Sequence, residues 1–403
     1  MQKKDIVCVA LPTWEGDYMK TIVQIMSLLA KRHRVLYVDY TFTWKDALMA
    51  AVGKQKAPWQ RMLGFTPRLR KIHTRFGSEV HVLTPPPVMP ANWITSPGLY
   101  KAVMAQEGKK VGESVRGAIH DLGFNNPIVI NAFSPFFGVP MAGKLDESLL
   151  VYYCYDEISA AQWCGRHGAW QEEIFMKQAD GVITTSDALL AAKRKLNPAA
   201  YLVKNGVDYN LFHQGFRELP PAKEKQKVIG YLGSVDDRID ADLLAYCFEQ
   251  MPEYKFVITG RIVSQAMADR FRKYANVELR GARQPEQLPA EVAGFHAGMI
   301  PFACNSFTRN IYPLKINEYL AAGLPVVMTD FADLNEFSAI AAVAASKEDF
   351  VRKLQQEVEA DTPEKRKQRA GFAIQNSWES RVETLEEVLQ DLLEQKTAKA
   401  AVY

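Results

Sequence analysis

Short apolar runs alternate with amphipathic stretches along the whole chain. Residues 6–11 (Ile-Val-Cys-Val-Ala-Leu) have the length of a buried strand. Behind them Ile22, Ile25, Met26 and Leu29 fall at helical spacing within residues 19–31. Residues 35–39, 128–132, 149–153 and 181–184 are further strand-like runs, and 172–178 reads as a helix ahead of the last. The rhythm stops at 213–227, where Pro220-Pro221 precede Lys-Glu-Lys-Gln-Lys, the composition of a polar linker. It then restarts, with strands predicted at 228–232, 255–259, 277–279, 297–301 and 325–328 and helices at 241–250 and 316–322. Residues 377–396 predict a charged amphipathic helix with Leu385, Val388, Leu389 and Leu392 on one face.

Strand–helix alternation of this kind builds parallel sheets covered by helices on both faces. Its restart after a linker predicts an α/β protein of two doubly wound domains, residues 1–212 and 228–376, joined by 213–227. The helix in 377–403 is expected to cross back to the first domain. Such sheets bind ligands beyond the carboxyl ends of their strands, so the expected site faces a cleft between the domains. A chain of 403 residues has room for both cores. Its net charge of +3 argues against bulk binding of nucleic acid. The five cysteines are odd in number and form no C-x-x-C pair, which speaks against a disulfide framework or a zinc site and for a reducing compartment. The first apolar run is too short for a secretion signal, and no stretch approaches the roughly 18 apolar residues of a membrane span. The expected location is cytoplasmic, at most peripheral at the inner face of the membrane.

The segment richest in chemistry is Thr308-Arg-Asn-Ile-Tyr-Pro-Leu-Lys-Ile-Asn-Glu-Tyr-Leu-Ala-Ala-Gly-Leu-Pro-Val-Val. Pro313 can start a helix, whose unpaired first-turn N–H groups and positive dipole end favour an anion. Lys315 adds a cation. Glu318, one turn on, can accept from the two hydroxyls of a ribose, and Gly323 stops the helix. A capped helix with a Lys–Glu surface pair, stabilised by a few tenths of a kcal/mol, is the plainer reading of the same residues.

This segment resembles the donor-site signature of GT-B glycosyltransferases, near family 4 and its group 1 relatives of bacterial polysaccharide assembly. Other resemblances follow in order: Glu173…Ala179-Asp180-Gly-Val-Ile-Thr-Thr-Ser186, Asn205-Gly206-Val207-Asp208…Phe212, Gly230-Tyr-Leu-Gly233, and Asn276-Val-Glu-Leu-Arg-Gly281…Leu288-Pro289. They span about 170–340; the first 150 residues match in architecture alone. The resemblance implies a GT-B fold of two Rossmann-like domains and transfer of a sugar from a nucleoside diphosphate, with UDP the common carrier, to a hydroxyl acceptor with retained configuration. It implies that Glu318 holds the ribose, that Lys315 and the helix start at Pro313 hold the diphosphate, that the loop from Gly281 to Gln284 lines the base pocket, and that Gly233 lets backbone approach the phosphates. Where the family often carries two glutamates eight residues apart, the first position here is Asn310. The family's arginine after the glycine is Ser234, leaving Arg238 and Arg261 as candidates to offset leaving-group charge or as solvated surface residues.

No cofactor is expected beyond the nucleotide sugar as co-substrate. Asp240-Ala-Asp242 sits at a predicted helix start, where a capping role is favoured over metal binding. The expected reaction is metal-independent. Asp156 ends a predicted strand, near where relatives of the family place a histidine or aspartate, as a base or orienting group or else as a helix cap. On the acceptor side Gly16 and Asp17 lie in the first strand–helix loop, and Asn131 and Ser134 end another strand. The acceptor is expected to be a carbohydrate, a lipid-linked molecule or another small molecule. Between Lys54 and Phe76 seven basic residues interleave with aromatics and no acid, either a contact for anionic lipid or a solvated loop. Two other functions fit the same fold: a nucleotide-sugar 2-epimerase, and a non-catalytic sugar-nucleotide-binding partner.

Overall fold

The computed structural model describes residues 1–16, 20–160, 162–219 and 226–402. Two compact units emerge. The first holds β1 (Asp5–Ala10), β2 (Arg34–Val38), β3 (Leu69–His73), β4 (Glu79–Leu83), β5 (Ile128–Ala132), β6 (Leu149–Cys154), β7 (Gly181–Thr184) and β8 (Ala200–Leu202). Among the described residues they form one sheet in the order β3-β4-β2-β1-β5-β6-β7-β8, parallel except for β3 against β4. The second unit holds β9 (Val228–Leu232), β10 (Lys255–Thr259), β11 (Val277–Gly281), β12 (Ala297–Ile300), β13 (Val326–Thr329) and β14 (Ala342–Ala344). Its sheet runs β11-β10-β9-β12-β13-β14, all parallel. Strands buried on both faces are near-continuous apolar runs, and β5, β6 and β9 are fully buried, with Asn131 near the end of β5 as a polar exception. All five cysteines are free.

The first unit ends at Val203, ahead of the expected limit at 212, and the second spans Lys204–Arg381. Pairing between distant segments accounts for the difference. The Val207 N–H donates to the Asn376 carbonyl at 3.0 Å, and its own carbonyl accepts from Trp378 N–H at 3.0 Å. A Cβ on Gly206 would stand 2.9 Å from the Trp378 ring, so glycine makes room for that tryptophan. Asp208 caps the helix Tyr209–His213, and His213 Nδ1 lies 3.0 Å from the Ala321 carbonyl. Of the expected linker 213–227, residues 220–225 fall outside the described residues. The last helix, Trp378–Val402, begins in the second unit and from Val382 onward belongs to the first, the crossing expected of it. There Glu386 receives Arg32 at 2.6 Å and His33 at 2.7 Å, and Leu392 fills the space above Gly181.

In the second unit the helix Pro363–Gln375 carries Arg366 and Arg369, whose almost wholly buried guanidinium groups share the carboxylate of Asp361 at 2.6 and 2.5 Å. Arg369 also donates to the carbonyl of Gly323 at 3.3 Å, where the Lys315-bearing helix ends. Removing the shared anion strands buried Arg366 and leaves buried Arg369 with the carboxylate of Glu357 alone, at 3.4 Å. Asp361→Ala is therefore expected to cost about 3–5 kcal/mol of stability, read as a lowered urea midpoint with an unchanged slope.

Candidate active site

The strand order of the second sheet reverses between β9 and β12. From β9 the chain winds outward to β10 and β11; from β12 it winds the other way to β13 and β14. The carboxyl ends at this reversal are where open α/β sheets leave a crevice. Gly233 leaves β9 there with φ +152°, a backbone conformation that favours glycine, and its N–H donates to the Thr259 carbonyl at 2.9 Å. The loop beyond is sewn to its neighbours: Val235 N–H to the Arg261 carbonyl at 2.9 Å, Ala303 N–H to the Arg238 carbonyl at 2.8 Å, and Asp240 N–H to the Pro301 carbonyl at 2.8 Å. A Cβ on Gly260 would stand 1.9 Å from the Gly233 carbonyl oxygen, so only glycine permits this approach of two strand ends.

The helix Leu314–Ala321 lies over these ends. The Tyr319 hydroxyl accepts the Leu232 N–H at 2.7 Å, and Gly298 leaves room for its ring, which an added Cβ would meet at 2.5 Å. At the far end Gly323 (φ +76°) donates to Leu320 and Leu324 donates to Tyr319, the paired bonds of a Schellman stop. At the near end Pro313 is the cap residue and no side chain caps the first-turn N–H groups. Lys315, four residues before Tyr319, reaches back to Gly233, where an added Cβ would stand 2.6 Å from its Cε and 2.8 Å from its Nζ. Its ammonium rests 5.2 Å from the Tyr231 ring centre and 5.0 Å from that of Phe302, in cation–π range. Arg238 lies 5.8 Å from the same Phe302 ring and holds Asp236 in a fork at 2.9 and 2.6 Å. Arg238 is thus a positioned guanidinium and not a loose surface one.

Removal from water and then the neighbouring Arg238 charge press the Lys315 ammonium down to about 8, against the opposing pull of Glu318 and Asp236. Removal from water pushes the Glu318 carboxyl up to about 7, with Lys315 opposing. Burial acts to raise Asp236 too, but the bonds and charge of Arg238 outweigh it and hold that carboxyl below its ordinary value. Two cations thus share the Phe302 ring, and one of them, Lys315, reaches Gly233 from a helix whose start no side chain caps, an arrangement suited to a doubly charged phosphate group.

The structure brings Lys315, Gly233 and Arg238 together, with Glu318 one turn along. Arg261 follows β10, exposed, and Gly281 ends β11 with φ +69°. Asn310 donates its amide to the Ser306 carbonyl at 3.0 Å. Asp240 caps the helix Ala241–Gln250 through the N–H groups of Asp242 and Leu243, and Asp242 pairs with Arg270 at 2.7 Å.

In the first unit two acceptor-side expectations change. The Asn131 amide is closed on Ser134 backbone groups, at 2.9 Å each way, and both residues are buried. They shape the turn after β5, and their polar side chains are not offered to a ligand. Gly16, at φ +157°, faces the Lys20 ammonium, which an added Cβ would meet at 2.7 Å; what approaches that glycine is the chain's own lysine. Asp17 lies outside the described residues. Asp156 follows β6, half-buried, and its carbonyl accepts from the Cys154 thiol at 3.3 Å; the next turn takes its bonds from Glu157, which receives Ser159 Oγ at 2.8 Å.

Sequence reasoning passed over Tyr319, Tyr231, Phe302, Asp236 and Gly260. The tyrosine one turn after Lys315 and the aspartate two residues before Arg238 were visible as local spacings. Phe302 and Gly260 gain their meaning only through contacts across the sheet.

The fold with this crevice is that of the GT-B glycosyltransferases. Residues 226–359 match the family described as Glycosyl transferases group 1, a stretch that contains Gly233, Arg238, Lys315 and Glu318. TuaH of Bacillus subtilis (strain 168), provisionally named a teichuronic acid biosynthesis glycosyltransferase, is 26% identical over 215 residues, covering 48% of this chain and 54% of TuaH. The chain thus matches about half the length of that relative. Among solved structures, sucrose-phosphate synthase from Thermosynechococcus elongatus is similar with a TM-score of 0.69 at 14% identity, covering 98% of this chain and 100% of that one. Anabaena Alr3699/HepE, solved with UDP, is similar with a TM-score of 0.65 at 13% identity, covering 96% and 100%, and has also been solved with UDP-glucose.

The shifted pair at Lys315 and Glu318 predicts how anion binding depends on pH. A bound diphosphate favours the charged lysine, raising its pKa on binding, so affinity falls as pH rises above about 8. Hydroxyl donors favour the ionised glutamate, lowering its pKa on binding, so affinity falls as pH drops below about 7. Affinity for a nucleoside-diphosphate sugar, whose phosphates do not titrate in this range, should peak between these limits. Calorimetry across pH 6–10 should show both limbs, and Lys315→Met should flatten the alkaline one.

Proposed function

We propose that the chain transfers a glycosyl group from a nucleoside-diphosphate sugar, with UDP as carrier, to a hydroxyl acceptor in the cytoplasmic assembly of a bacterial polysaccharide or glycolipid. The observation that carries this reading is Lys315 reaching Gly233 from an uncapped helix start at the reversal of the second sheet, with Arg238 beside it on the Phe302 ring. The bond between the anomeric carbon and the diphosphate oxygen breaks, its electron pair leaving with the diphosphate. The acceptor oxygen bonds the anomeric carbon and gives up its proton to the departing diphosphate oxygen. Lys315, Arg238 and the helix N–H groups take up the charge that grows on the departing phosphate, held beforehand in place and partly shielded from water. Glu318 receives the ribose hydroxyls, the Gly281–Gln284 loop lines the base, and Asp156 in the first unit serves the acceptor. Transfer with retained configuration follows the group 1 likeness. UDP as carrier is supported by the Anabaena structures, and a polysaccharide role by the name of TuaH.

Replacing Glu318 with Ala is expected to weaken donor binding by about 1.5–3 kcal/mol, the scale of hydrogen bonds to a charged group, with the melting temperature little changed. Unaltered nucleotide affinity by calorimetry would remove the ribose from Glu318. Because the carboxylates of Asp240 and Asp242 are engaged by a helix cap and by Arg270, transfer should survive a chelator. Complete loss of activity restored by a divalent cation would contradict that expectation. Turnover of the donor with no acceptor present would point to epimerisation instead.

A further inference from the structure

The basic and aromatic residues between Lys54 and Phe76 do not fold into one surface. Arg70 turns in to pair with Glu15, and Arg61 meets the same carboxylate at 3.1 Å. Arg68 donates to the carbonyls of Arg61 and Met62 at 3.3 and 3.0 Å, and Arg75 donates to Gln24. The exposed apolar face begins earlier, on the helix Trp44–Ala51.

That helix is fixed at its start by a capping box between Thr43 and Asp46, and it buries Ala47 and Ala50. The large residues Trp44, Leu48 and Val52, spaced one turn apart, therefore point to solvent, 44%, 67% and 65% exposed. The pairing of Thr43 with Val88 brings Met89, itself 53% exposed, beside the Trp44 end. Phe65, 73% exposed, stands edge-on to Trp59 at 6.0 Å. Lys45 on this helix and Lys54 and Lys56 just beyond its end are all exposed and without an ion pair among the described residues. The one acid within residues 44–65, Asp46, is occupied by the capping box and by the Gln55 amide at 3.1 Å.

A soluble protein seldom leaves an apolar stripe of this kind bare unless it meets a partner surface. We propose that this face docks onto a lipid leaflet with anionic headgroups. Trp44, Leu48, Val52 and Met89 enter the boundary between headgroups and acyl chains, where tryptophan is favoured, and the lysines meet the headgroup phosphates. The unpaired lysines choose lipid over a second copy of the chain, because a two-fold contact would set this basic, acid-poor face against the same basic face with no carboxylates to meet it. All of these residues lie in the first unit, so the inference extends the proposed reaction without requiring it.

The full chain should float with vesicles of phosphatidylcholine mixed with phosphatidylglycerol, should not float with phosphatidylcholine alone, and should be released by salt. Its tryptophan emission should shift to the blue on binding. Leu48→Gln combined with Val52→Gln should lower vesicle partitioning about tenfold or more, and Lys54→Gln or Lys56→Gln about fivefold each. Melting temperature and donor affinity, measured on the same samples, should stay at wild-type values and so report on the nucleotide site separately. Failure of the wild-type chain to float, or equal binding by the variants, would overturn the proposal. So would a concentration-dependent dimer that Leu48→Gln abolishes, which would assign the face to a second copy.

Discussion

The hydroxyl of Tyr319, accepting the last N–H of β9 at 2.7 Å, fixes where the helix over the second sheet stands. A buried N–H at a strand end must find an acceptor, so the helix cannot slide along the sheet without orphaning it. Gly298 beneath the ring sets the distance between helix and sheet, and the Schellman stop at Gly323 sets the helix length. With both constraints in place, Lys315 is delivered one turn upstream onto Gly233, and the helix start opens beside it.

The charges at that point are poised. Lys315 is partly withdrawn from water and lies near a second cation, a combination that lowers its pKa toward the working range. Asp236 forks onto Arg238 and acts on the lysine only through its charge, while the faces of Tyr231 and Phe302 lie against the ammonium. Glu318 is displaced in the opposite sense by its own withdrawal from water. A ligand that brings an anion to the lysine and hydroxyl donors to the glutamate relieves both at once, which is why a diphosphate joined to a ribose suits the pair better than either fragment alone.

Much of this was legible along the chain, for a physical reason. A strand buried on both faces is apolar along most of its length, so the runs at β5, β7, β9 and β10 match their residues one for one. β3 reads Leu-Arg-Lys-Ile-His and lies antiparallel at a sheet edge, where no such constraint acts, and it left no signal. The long helix Pro97–Asp121 packs partly through glycine, with Gly108 against Pro140, so Glu107, Gly108 and Gly112 interrupt the apolar stripe of Tyr100, Met104, Val111 and Val115. The Trp44–Ala51 helix points its largest residues outward and inverts the usual pattern. Within the site, Lys315, Glu318 and Gly323 lie on one helix and were readable from spacing. The boundary at Val203 depends on pairing with residues 376–378, and Asn131 closes on its own turn; neither is written in local sequence.

The chain contains its own control for the assignment of the anion site. Each unit places a glycine with φ near +150° in the loop after the first strand of its sheet, Gly16 at +157° and Gly233 at +152°, and each glycine faces a lysine ammonium. In the first unit that ammonium, Lys20, is satisfied within the chain, donating to the Thr13 carbonyl and hydroxyl at 2.6 Å and to the Glu15 carbonyl at 2.5 Å. In the second unit Lys315 rests on ring faces, and no hydrogen-bond acceptor among the described residues serves its ammonium. The same backbone device is closed in one half and open in the other. A lysine already saturated with oxygen has little to gain from a phosphate, whereas one held against aromatic carbon beside an arginine gains both hydrogen bonds and charge. The difference in lysine partners, more than the shared glycine geometry, is what favours an anion at the second unit over the first.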